Sequence, residues 1–143
     1  MATPAAPDAG TLKRSLRVLY ADDMRELRDV LRISLTREGH GVECVADGQT
    51  AFERIAADPG FDLVITDHHM PKMNGLELMA RLRTLPFHGK TMIFSSELSP
   101  AITASYQRLG VDRILFKPVF PSVLRQVLAE MFSAVPPSTT AAA

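Results

Sequence analysis

The chain has 143 residues, of which 46% are hydrophobic and 22% charged, a composition that suits one globular domain able to bury a sizeable core. Its 16 Lys and Arg balance 16 Asp and Glu with no long basic run, which argues against direct nucleic-acid binding. One cysteine allows no internal disulfide, the N-terminus lacks a signal-peptide pattern, and no apolar segment is long enough to span a bilayer; the expectation is a cytoplasmic protein without membrane attachment.

Residues 1–13 and 134–143 are rich in small residues and proline and lack apolar periodicity, so they read as flexible tails around a domain of residues 14–133. Leu16–Ala21 is the first strand-like run. Residues 23–38 then place Leu27, Val30, Leu31 and Leu35 at helical spacing, and Gly39 supplies the stop. Val42–Val45 reads as a second strand, in which Cys44 has the apolar neighbours of a buried, inert thiol. Asp47-Gly48 leads into a helix carrying Ala51, Phe52, Ile55 and Ala56, which ends at Asp58-Pro59-Gly60. After a third strand, Phe61–Thr66, Gly75 opens a helix with Leu76, Met79 and Leu82 on one face. Met92–Phe94 is the fourth strand, and Ser99-Pro100 supplies an N-cap and first-turn proline for a helix to Leu109, stopped by Gly110. Ile114–Phe116 is the fifth strand, and Pro121 begins a last helix through Ser122–Phe132.

Short strands alternating with helices predict an α/β fold with a parallel sheet covered by helices on both faces. Such sheets bind ligands beyond the carboxyl ends of their strands. Here those ends carry Asp22-Asp23, Asp67, Ser95-Ser96 and Lys117. Carboxylates gathered at one edge repel each other unless a cation joins them, and oxygen ligands of this kind favour Mg²⁺. Lys117 adds a positive charge, and Ser95 adds a hydroxyl beside backbone N–H groups. Together they suit a phosphoryl group carried by an aspartate. Taken singly, each residue has a plainer reading: Asp22-Asp23 as a solvated helix start, Ser95 as a cap, Lys117 as a surface lysine. His68-His69 invites a transition-metal reading, but adjacent loop residues tend to point apart and no other histidine or cysteine stands at ligand spacing from them. Met70–Met73 reads as loop packing.

Ala21-Asp22-Asp23, then Thr66-Asp67-His68-His69-Met70-Pro71 with Gly75, then Phe94-Ser95-Ser96, then Phe116-Lys117-Pro118 resemble the response-regulator receiver domain of two-component signalling. The likeness is to its stand-alone, chemotaxis-regulator-like form and covers roughly residues 15–133. The resemblance implies the flavodoxin-like strand order 2-1-3-4-5. It makes Asp67 the phosphoacceptor, Asp23 the direct Mg²⁺ ligand, Asp22 its water-mediated neighbour and the backbone carbonyl of His69 a further ligand. Ser95, the Ser96 N–H and Lys117 would hold the phosphoryl oxygens, and Lys117-Pro118 would be a cis peptide. Ile114 stands where the family often has a switch aromatic, leaving Phe116 and Tyr106 as partial substitutes. His69, two residues after the acceptor, is placed to influence water access.

The implied partners are a sensor histidine kinase or histidine phosphotransfer protein and an unidentified downstream protein. The output face would be Ile102–Leu109, Ile114–Phe116 and Pro121–Phe132, with no attached DNA-binding domain. Such a module catalyses only its own phosphorylation and dephosphorylation. An aspartate-nucleophile phosphatase is the rival, but its two aspartates are separated by one residue, whereas Asp22 and Asp23 are adjacent. A phosphorylation-independent scaffold is the third reading, disfavoured by the full set of acidic and basic groups. The acidic cluster also predicts that alanine at either Asp22 or Asp23 relieves repulsion, leaving each variant as stable as wild type, or more so, without Mg²⁺.

Overall fold

The computed structural model describes residues 14–133, so the tails expected at 1–13 and 134–143 lie outside the described residues. Strands and helices alternate as β1 (Arg17–Ala21), α1 (Arg25–Arg37), β2 (Gly41–Val45), α2 (Gly48–Ala57), β3 (Leu63–Asp67), α3 (Gly75–Leu82), β4 (Lys90–Ser95), α4 (Pro100–Arg108), β5 (Arg113–Phe116) and α5 (Pro121–Met131). All strand pairs are parallel, in the order β2-β1-β3-β4-β5. This is the flavodoxin-like arrangement.

Successive strand residues face opposite sides of a sheet, so a strand covered on both sides must be apolar throughout. Central β1 meets that demand with Val18, Leu19, Tyr20 and Ala21, all buried. One face contributes Leu19, Ala21, Val64 and Ile93 to a core with Ala51 and Ile55 of α2, Leu78, Met79 and Leu82 of α3, and Tyr106 of α4. Val18, Tyr20, Leu63, Ile65 and Met92, alternate along the strands with that set, are equally buried. Each large side chain so buried contributes about 1.5–3 kcal/mol.

α1 buries Leu31 and Leu35. Val30, expected among its core residues, is instead 54% exposed, and Ile33 is 52% exposed. The reason is angular: Leu27, Leu31 and Leu35 repeat every four residues along one narrow stripe, and Val30 lies about 100° around from Leu31. Gly39 (φ 94°) and Gly110 (φ 80°) end their helices in the left-handed conformation expected of them.

The described residues divide into two units, Ser15–Pro118 and residues 119–133 with Arg14. The first holds the sheet and α1–α4. In the second, α5 begins with Pro121 in its first turn and buries Leu124, Val127 and Leu128. The Arg14 guanidinium there lies 5.4 Å from the centre of the Phe132 ring.

Candidate functional site

Parallel strands deliver their last residues to one edge, and at this edge the polar residues singled out in the sequence meet. β1 ends just before Asp22 and Asp23, β3 ends in Asp67, β4 ends in Ser95, and Lys117 follows β5. Oxygens of Asp22, Asp23 and Asp67 lie within 4.8 Å of one another. Asp22 and Asp67 are buried, and Asp23 is exposed. Lys117 Nζ stands between two of them, 3.2 Å from Asp22 Oδ2 and 3.0 Å from Asp67 Oδ1.

Burial raises the proton affinity of the Asp67 carboxyl, with the hydrogen bond and charge of Lys117 pulling it back and Asp22 and Asp23 adding to the rise. For Lys117, burial works against the charge, but hydrogen bonds and charges from Asp67 and Asp22 outweigh it and raise its pKa. Three carboxylates facing one ammonium leave a surplus of negative charge. The donors are all hard oxygens, one of them solvent-facing, a set that fits a hard divalent cation.

Both oxygens of Asp22 are already engaged. The Tyr20 hydroxyl donates to Oδ2 at 2.6 Å, where Lys117 also bonds, and the Met24 N–H donates to Oδ1 at 2.9 Å. Exposed Asp23 carries no comparable set of bonds among the described residues. Tyr20 escaped the sequence reading because it looks like an ordinary strand aromatic. Its place two residues before Asp22, on the same side of the extended chain, is the signal that finds it. Burial, then the Asp22 hydrogen bond, raises the pKa of its phenol and keeps it protonated.

Ser95 is buried, and its hydroxyl is used locally: it donates to the Glu97 carbonyl at 3.1 Å and accepts from the Glu97 N–H at 3.3 Å. Ser96 is exposed beside it. The Lys117–Pro118 peptide is cis, and the Lys117 N–H donates to the Ser95 carbonyl at 2.8 Å.

The sequence model of the response regulator receiver domain matches residues 18–129. The chain belongs to this family. It is 34% identical over 122 residues to the sensory/regulatory protein RpfC of Xanthomonas campestris pv. campestris, covering 82% of this chain and 17% of that protein. It is 32% identical over 136 residues to the sensor histidine kinase AruS of Pseudomonas aeruginosa, covering 92% of this chain and 13% of that protein. The chain thus spans under a fifth of the length of these curated relatives. Among solved structures it is similar to chemotaxis protein CheY4 of Vibrio cholerae, with a TM-score of 0.75 and 28% identity over 82% of this chain and 98% of that one. Receivers are signalling modules of two-component systems rather than classical enzymes, and the acidic pocket here fits a phosphoacceptor site. No helix among the described residues is long and apolar enough to cross a membrane.

In this receiver the residue after Asp67 is buried. His68 donates its N–H to the Phe94 carbonyl at 3.1 Å and accepts the Gly75 N–H on its own carbonyl at 2.9 Å. Its Nδ1 lies 2.5 Å from the Tyr106 hydroxyl. Burial, and then the nearby His69, lower the His68 pKa, while burial and the Asp67 charge raise that of Tyr106. A neutral imidazole and a protonated phenol therefore meet, the hydroxyl donating and the ring proton assigned to Nε2. The imidazoles of His68 and His69 do not point apart as expected: their centres are 4.7 Å apart at 74°. His68 is drawn inward by Tyr106, and exposed His69 lies edge-on against it. Among the described residues they join no group of three metal-ligating side chains. Of the two candidate substitute aromatics, Phe116 is 56% exposed and only Tyr106 enters the core; half-buried Ile114 packs against the same core.

Proposed function

We propose that this receiver accepts a phosphoryl group on Asp67 from a histidine kinase or histidine phosphotransfer protein and signals through protein contacts. The observation that carries the reading is Lys117 Nζ held between Asp22 and Asp67 at the edge of the acidic cluster. A carboxylate oxygen of Asp67 attacks phosphorus, the N–P bond of the phosphohistidine breaks, and an acyl phosphate forms as the imidazole leaves. Lys117, already at the acceptor, offsets the charge arriving on the phosphoryl oxygens. Ser95 turns from Glu97 to donate its hydroxyl to one of them, and the Ser96 N–H donates to another. Asp22, Asp23, Asp67 and the His69 carbonyl are the residues that would hold Mg²⁺, which when bound supplies charge neutralisation at those oxygens. His69, exposed beside the acceptor, sets the approach of the water that later hydrolyses the acyl phosphate.

Kinship with a protein named as a sensor histidine kinase supports a histidine-borne donor. The cytoplasm is the compartment we assign, supported by the single, half-buried Cys44. No direct nucleic-acid or membrane contact is part of the reading. The test is labelling with acetyl phosphate and Mg²⁺: wild type should acquire a base-labile phosphoryl group and Asp67→Asn none. Equal labelling of the variant would remove Asp67 from the role.

A further inference from the structure

We infer that Tyr106 latches helix α4 to the acceptor segment through His68 and holds α4 in its unphosphorylated position. The inference rests on the phosphoacceptor reading and adds to it the residue pair through which α4 senses Asp67. Three elements converge on His68: β4 through the Phe94 carbonyl, the start of α3 through the Gly75 N–H, and α4 through Tyr106. The two rings meet edge-on, 5.5 Å between centres at 77°, and Tyr106 has no exposed surface. Gly75 makes the seat possible. A Cβ there would come 2.7 Å from the Tyr106 hydroxyl and 2.8 Å from the Asp67 carbonyl.

A hydrogen bond between two buried side chains is either made or lost at the full cost of leaving both unpaired, so it favours one of two positions. The observed position is a resting one, because the Ser95 hydroxyl is still turned to Glu97. Ser95 and α4 are joined by the short loop that ends in the Ser99 cap and Pro100. Drawing Ser95 toward a group on Asp67 pulls on this loop and hence on α4. The Tyr106–His68 bond ties α4 to the acceptor segment from the other side and resists that pull. An interaction made in one state only shifts the equilibrium toward that state. Ile114 offers no aromatic for the same task.

Beryllium fluoride with saturating Mg²⁺ is the probe, titrated into wild type, Tyr106→Phe, His68→Leu and the double variant, with urea midpoints measured alongside. Loss of the latch should tighten beryllium fluoride binding about five-fold in each single variant, the scale of one net hydrogen bond, with no further gain in the double. Unchanged or weaker binding by Tyr106→Phe, whatever its urea midpoint, overturns the latch and assigns Tyr106 to packing alone. Additive effects in the double variant overturn it as well. Should Tyr106→Phe fail to fold, His68→Leu reads the same bond from its other end under the same criteria. If wild type itself binds no beryllium fluoride, the phosphoacceptor reading falls and the latch with it; wild-type binding with an unchanged Tyr106→Phe removes the latch alone.

Discussion

Asp22 and Asp23 are neighbours in the chain with opposite environments. Asp22 is buried, with its oxygens taken by Tyr20, Met24 and Lys117, whereas Asp23 faces solvent. Replacing Asp23 with alanine removes one charge from a repelling cluster and strands no buried donor, so in Mg²⁺-free buffer the variant should be at least as stable as wild type. Asp22→Ala leaves the buried Tyr20 hydroxyl without its acceptor and takes one of two carboxylates from Lys117. It should lose about 1–3 kcal/mol, so the relief read from the sequence for both positions is now expected for Asp23 alone. Equal urea midpoints for the two variants would refute this distinction. In a Mg²⁺ titration the order reverses: Asp23→Ala should weaken binding more than Asp22→Ala, and equal losses would count against Asp23 as the direct ligand. The charged residues of the site were legible because each closes an apolar run. Tyr20 shows only its place two residues before Asp22, and Tyr106, a candidate switch aromatic, gives no sign in the sequence that its hydroxyl meets His68.

At the scale of elements, helix starts hold the loops around the site in place. Asn74 Oδ1 accepts the Glu77 N–H at 2.8 Å, and Glu77 Oε1 accepts the Asn74 N–H at 2.9 Å, a complete capping box before α3. Asn74→Ala should cost about 1 kcal/mol. Because α3 begins at Gly75, which bonds the His68 carbonyl, the loss should also speed amide exchange at Gly75. Slow exchange at Gly75 in a destabilised variant would show that α3 frays independently of the acceptor segment. The Asn74-x-x-Glu77 spacing stands in the sequence beside the more conspicuous Gly75, whereas at Ser99-Pro100 the cap and the first-turn proline reinforce each other, and Ser99 Oγ accepts the Ile102 N–H at 3.1 Å. Strand ends proved harder to read than helix starts. β3 and β4 run on into Asp67 and Ser95 because ladder pairing with Phe94 and Phe116 continues through polar residues, which an apolar pattern cannot register.

Across the whole molecule, the alternation of strands and helices was legible because five short apolar runs are separated by helically periodic segments. The strand order itself came from kinship, since periodicity says nothing about which strands become neighbours. One contact that no pattern announces ties the first two strands together and makes the stability of the fold depend on pH. His40 is 6% exposed, and its Nδ1 accepts the Leu16 N–H at 3.0 Å, while the Gly41 N–H donates to the Leu16 carbonyl at 2.9 Å. Burial lowers its pKa from the ordinary 6.5, with Glu38 pulling weakly the other way. A protonated ring would set a second donor against the Leu16 N–H. Because the folded pKa lies below the unfolded one, the stability from neutral His40 is fully present above pH 6.5 and is lost as pH falls through the folded value. Buried His68 acts in the same direction. Asp47, lowered first by the Thr50 N–H, and Asp58, lowered first by Arg17, lose their contributions only in the acid range below about pH 4. Raised Asp67 works oppositely there, gaining stability on protonation. The fall in urea midpoint between about pH 7.5 and 5.5 should therefore belong to the histidines. His40→Gln, which keeps a side-chain acceptor but cannot titrate, should flatten part of that fall and leave the acid limb unchanged. A slope identical to wild type would mean that His40 carries no proton-linked share of the stability.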